Sequence, residues 1–195
     1  VNMNVLGDFC YISVGMVVNA NEKDAQGAFK KEDLISDSYD AIHCRKYIEA
    51  KDIDKFQVKR VRYLEWNTER CPDKLRRPTF RELYDCPKLL INRLGVLKVY
   101  LDMDTHFLHS DSMFCAVLWK DLKGVYNKSL SSSIKKFCKH NRAAMESLSE
   151  KVDLYYLLGI LNSSMADQLL ADQRGGDYHL SLIHISEPTR QAEIS

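Results

Sequence analysis

Leu154, Leu157, Leu158, Leu161, Met165 and Leu169 recur at three- and four-residue intervals near the end of a 195-residue chain. That spacing lines one face of a helix with apolar groups, and it predicts an amphipathic helix over 147–171. The Ser147/Glu150 pair fits a capping box at its start, and Gly175-Gly176 fits its end. Upstream the texture differs. Short runs rich in Val, Ile, Leu and Tyr are separated by Gly, Pro and polar stretches, which is the texture of strands and turns. A chain with strand-like segments first and its clearest helix last is expected to be α+β: a twisted β-sheet followed by a C-terminal helix.

The expected strands are 9–18, bending at Gly15, then 41–48, 58–66 and 114–119. The run 88–101 holds two apolar stretches around Gly95 and reads as a hairpin. Residues 19–31 and the Pro-bounded 67–78 read as loops, 79–84 as one helical turn, and 129–133 as a polar break.

Six cysteines are spaced 15 to 34 residues apart. That excludes a Cys-x-x-Cys knuckle, and the density is far below that of a disulfide scaffold. They are expected to be reduced and mostly buried. No apolar run approaches the ~20 residues of a membrane span, and the opening Val1–Asp8 is no basic-then-apolar leader. The expected compartment is the cytoplasm, with no membrane partner. Val1 in place of an initiator Met suggests a fragment.

Catalytic signatures are missing. The sequence has no phosphate loop, no Gly-x-Gly-x-x-Gly, no nucleophile elbow and no Asn/Asp-Pro-Pro-aromatic motif of amino-methyltransferases. His106 and His109 with Asp102, Asp104 and Asp111 form the best metal-like cluster; a polar turn explains it more simply, and no metal site is expected. Pro72-Asp73 with Glu82 and Lys88 fails the nuclease pattern, because Glu82 and Lys88 are six apart rather than two.

Charge is uneven. The chain holds 28 Lys/Arg against 27 Asp/Glu, a net of +1. Residues 1–40 carry three basic and seven acidic groups, a net of −4, whereas 41–100 carry fifteen and eight, a net of +7. The remainder is −2. A basic middle is the footprint of a polyanion-binding surface if the charges share a face, and a solvated mixed-charge surface if they do not.

Several stretches, in order, resemble one family. Leu6 to Met16 resembles the first strand and Gly turn of restriction–modification target-recognition domains. Arg45 to Phe56, with Lys51-Asp52-Ile53, is similar to the family's next segment, and Arg62-Tyr63-Leu64-Glu65-Trp66 to the aromatic strand that follows. Cys86-Pro87-Lys88-Leu89-Leu90-Ile91-Asn92-Arg93 resembles its Pro-Lys-Leu-Leu strand, and Tyr155 to Leu170 its Leu-Asn-Ser helix. The series spans most of 6–179 and looks most like the TaqI-like C-terminal specificity domain of type II restriction enzymes and adenine-specific DNA methyltransferases. Type I specificity subunits are the related second choice.

The resemblance implies a module that reads duplex DNA for a catalytic domain of the same parent chain. That domain would bind S-adenosylmethionine and methylate adenine, with cleavage as a possible companion activity. The fragment itself is expected to hold no cofactor and no catalytic residue. The candidate DNA contacts are Arg45, Lys46, Lys51, Lys55, Arg62, Arg70, Lys74, Arg76, Arg77 and Arg93: cations supply phosphate contacts, and guanidinium groups can also read guanine. Lys88 and Arg93 lie in or beside apolar strands, where a structural ion pair is favoured over a DNA contact. An independent nuclease and a protein-interaction module are the other classes left open.

Residues 180–195 stand apart. Leu180 to Arg190 back-translates to a string resembling the constant part of a transposase-type sequencing adapter. The natural chain is therefore expected to stop near His179, with 180–195 a translated artefact that packs on nothing.

Overall fold

The computed structural model describes residues 5–173. In chain order the strands are β1 (Cys10–Val14), β2 (Val17–Ala20), β3 (Ile35–Ser36), β4 (His43–Ile48), β5 (Ile53–Asp54), β6 (Gln57–Val58), β7 (Arg62–Glu65), β8 (Leu75–Arg77), β9 (Lys88–Asn92), β10 (Val99–Asp102), β11 (Leu108–His109) and β12 (Met113–Leu118). The helices are α1 (Leu6–Phe9), α2 (Glu82–Asp85), α3 (Lys128–Phe137), α4 (Arg142–Ser149), α5 (Leu154–Leu161) and α6 (Ser164–Gln173). The class is α+β, with the strands in the first 118 residues and four helices after them.

Two four-stranded sheets carry the fold. The first runs β1-β12-β9-β10, all antiparallel. The second runs β11-β4-β7-β3, with β11 parallel to β4. Two ribbons, β2-β8 and β5-β6, attach to them.

Every residue of β9 and β12 is buried, because the first sheet has a core on each side. Leu89, Ile91, Phe114, Ala116 and Leu118 enter one core, closed by Leu154 and Leu157 of α5. Leu90, Met113, Cys115 and Val117 point the other way, into a larger core shared with Tyr47, Ile48 and Leu64 of the second sheet and Leu130 of α3. Alternation at period two explains why both strands read as unbroken apolar runs.

The 88–101 hairpin forms around Gly95, whose φ of +79° is the left-handed conformation that glycine adopts without strain. Gly15 is a glycine for a different reason. A Cβ there would lie 2.2 Å from the His109 carbonyl oxygen and 2.3 Å from that of Ser110. The chain leaves β1 at this point and bridges to β11 through Met16 N–H to His109 O, at 3.0 Å.

Three expectations need correction. Residues 129–133 lie inside α3, which Asn127 caps by accepting a hydrogen bond from Ser129 N–H. The 147–171 stretch is not one helix: Ser147 falls inside α4, Asp153 caps α5, and the chain breaks again at Asn162. The 67–78 segment contains β8, paired with β2. The proposed helix end at Gly175-Gly176 and the 180–195 tail lie outside the described residues.

All six cysteines are free thiols, and burial pushes Cys10, Cys71 and Cys115 up to about 12, away from thiolate chemistry near neutrality. Among the described residues no helix is long and apolar enough to cross a membrane.

Candidate nucleic-acid interface

A cleft of about 580 Å³ opens where the start of β4 meets the 66–85 segment. Arg45, Trp66, Phe80, Arg81 and Tyr84 line it together with Asn67, Asp73, Thr79 and Asp85. The Arg45 guanidinium lies 5.4 Å from the centre of the Trp66 ring and 3.7 Å from Asp85, which also accepts a 2.6 Å hydrogen bond from Arg81 Nε. Burial raises the Tyr84 hydroxyl far above its ordinary pKa, against the lowering effect of its hydrogen bond with Thr79.

The cleft wall is strained. Asn67 and Thr79 both line it, and both have positive φ, +58° and +61°. Asparagine tolerates that region, but a β-branched threonine does so only at a cost of about 1–3 kcal/mol. The Thr79 side chain is held by hydrogen bonds to Pro78 O and to the Tyr84 hydroxyl. Such strain concentrates at binding and active sites.

The ten candidate DNA contacts divide sharply. Arg62 is 8% exposed, and its guanidinium donates to Glu49 at 3.0 Å and to Asp52, with the Tyr47 ring beneath it. It is a core ion pair, not a groove contact. Lys51 binds Glu49 at 3.0 Å from a solvated position. Burial would raise the Glu49 pKa, but Lys31, Arg62 and Lys51 together bring it down to about 2. Lys55 is spent on Asp167 and on the Asn162 carbonyl, 3.0 Å away, tying the β5-β6 ribbon to the helices. Arg70 is paired with Glu65 and sits over Phe29. Arg93 donates to Asp111 O at 2.6 Å and lies over Phe114. Arg76 is exposed, with Glu22 at 3.7 Å.

Lys46, Lys74 and Arg77 are different. Among the described residues none has a carboxylate partner; Lys46 and Lys74 are exposed and Arg77 is half-buried. Each adjoins a cleft-lining residue in the chain: Arg45, Asp73 and Pro78 respectively. Of the cations that line the cleft itself, Arg45 and Arg81 share Asp85.

The metal-like cluster does not assemble. Among the described residues no group of three potential ligands could hold an ion. Asp102 instead pairs with Lys88 at 2.7 Å and accepts the backbone N–H groups of Thr105, His106 and Phe107, fixing the turn after β10. Lys88 is wholly buried and also donates to Tyr84 O at 2.6 Å, the structural pairing expected of it.

The sequence reading missed a second cationic stretch. From Leu122 to Met145 the chain has Lys123, Lys128, Lys135, Lys136, Lys139 and Arg142 and no Asp or Glu. The signal was present, but it vanished when the segment was summed with the acidic residues on either side.

No family model matches this chain, and no curated protein matches it either.

Proposed function

We propose that this chain is a duplex-DNA recognition module, the target-reading part of an adenine-specific methyltransferase of a restriction–modification system. In this reading S-adenosylmethionine and the methyl-transfer residues belong to a separate catalytic domain, and this chain supplies sequence choice. The observation that carries the reading is the strained cleft, where Arg45 lies over Trp66 beside Phe80 and Arg81, with Lys46, Lys74 and Arg77 each next in the chain to a residue that lines it. Unpaired lysines can neutralise phosphates and set register, while a guanidinium held over an aromatic ring is preorganised to meet a guanine edge. The ordered resemblance of residues 6–170 to target-recognition domains supports the same conclusion.

The test is duplex binding followed by fluorescence anisotropy at several salt concentrations. The Lys46→Ala/Lys74→Ala/Arg77→Ala variant should bind more weakly, and its slope of log K against log salt should be shallower by roughly two to three units. Unchanged affinity in a folded variant would remove the cleft from the interface.

A protein-interaction role has one observation in its favour: Tyr155, Tyr156, Ile160 and Met165 of α5 and α6 are exposed.

A further inference from the structure

We propose that the outward face of α3 is a second, independent phosphate-binding surface, a ridge that grips the sugar–phosphate backbone without reading bases. The inference rests on the reading of the chain as DNA-binding, but it places a further electrostatic grip outside the basic segment 41–100.

The helix has two opposite faces. Leu130 is wholly buried, and Ile134 packs against the same core. At about 3.6 residues per turn, Lys128, Ser132 and Lys135 fall on the opposite side, with Lys136 at its flank. Lys128 and Lys135 are roughly 10 Å apart along the axis. Lys123 precedes the helix and Lys139 follows it. All five lysines are exposed, and among the described residues none is paired with a carboxylate.

A helix face that serves only solubility interleaves both signs, because Glu and Lys four apart support each other. Here serines fill the positions where acids would neutralise Lys128 and Lys135, although serine is a weaker helix former than glutamate. Lys135 and Lys136 lie at the carboxyl end, where the helix dipole favours them. Lys128 is the first helical residue and faces the positive end, where it is disfavoured. An unneutralised row of lysines, one of them placed against the dipole, is complementary to a polyanion.

The polyanion is a nucleic acid rather than a lipid surface. An interfacial helix sinks its apolar face into the acyl boundary, whereas Leu130 and Ile134 are committed to the core. Lysine, a mobile point charge, also suits phosphate better than base readout.

The experiment measures binding of the full chain to a duplex of about 20 base pairs across a salt series, with anionic phosphatidylserine vesicles in parallel. The Lys128→Ala/Lys135→Ala variant is compared with Lys23→Ala/Lys30→Ala, which removes the same charge elsewhere. The ridge variant should lose affinity equally on unrelated duplex sequences. Its salt slope should fall by roughly two units, its melting temperature should be unchanged, and the control should shift much less. Equal shifts in ridge and control variants, or a ridge variant that binds like the wild type, overturn the ridge and leave the DNA reading standing. A wild-type chain that ignores duplex DNA overturns both, whether or not it binds the vesicles.

Discussion

Lys88 and Asp102 form an ion pair with side chains 1% and 0% exposed, and what each holds explains why the pair exists. Lys88 Nζ satisfies the Tyr84 carbonyl at the end of α2, and Asp102 organises three backbone N–H groups after β10. Removing one partner strands the other charge in the core. Lys88→Ala should therefore lower the unfolding free energy by about 3–5 kcal/mol in urea titrations. Arg62 between Glu49 and Asp52 follows the same logic. His109 is the opposite case. It is wholly buried beside the Tyr84 ring, neither ring nitrogen has a hydrogen-bond partner among the described residues, and burial, with Lys88 nearby, lowers its pKa to about 3. The native state keeps it neutral while the unfolded chain takes up a proton below the ordinary histidine value, so its contribution is intact above pH ~6.5 and is lost as pH falls toward 3. Between about pH 6.5 and 4.5, wild-type stability should fall relative to His109→Leu by up to ~1.4 kcal/mol per pH unit. Parallel pH profiles for the two proteins would show that His109 titrates normally in the folded state.

At the scale of elements, Asn162 explains the second of the two breaks in the apolar period over 147–171. Its side-chain amide accepts from Val99 N–H at 2.9 Å and donates to Val99 O at 2.8 Å. It thereby pairs with the outer edge of β10 as a short strand would, and α5 ends where the side chain is diverted. Asn162→Ala should cost about 1–3 kcal/mol in denaturant unfolding, since it leaves the buried Val99 N–H without a partner, while Val99 O keeps the Phe56 N–H at 3.0 Å. A loss under ~0.5 kcal/mol would mean that the edge is satisfied another way. The leucine spacing was legible in the sequence; the break was not, because it depends on a strand 63 residues away. The hairpin around Gly95 was legible because its signals are local. The helix α3 was not: three consecutive serines resemble a break, and only burial of Leu130 shows that the core overrides weak propensity.

Across the whole molecule, the basic middle of the sequence is largely neutralised by folding. Lys55 meets Asp167, Arg60 meets Asp37, Arg45 meets Asp85, and Arg62 meets Glu49 and Asp52. Charge tallied along the chain counts these cations as available because their partners come from other segments. Lys46, Lys74 and Arg77 near the cleft, and the lysines of α3, are among the cations that the fold leaves without a carboxylate partner among the described residues. The strained cleft could not be read from sequence either, since positive φ at Thr79 has no composition signal. The central claim is that Arg45 in the cleft, with the cations near it, serves sequence-selective reading of duplex DNA. It is tested most directly by selecting bound molecules from a pool of duplexes with a randomised core, at moderate salt, and sequencing them over successive rounds. The account predicts convergence on one short motif that Arg45→Ala relaxes at a single position, by about 1–3 kcal/mol. A recovered pool that stays as random as the input, or no retained duplex at all, would contradict it.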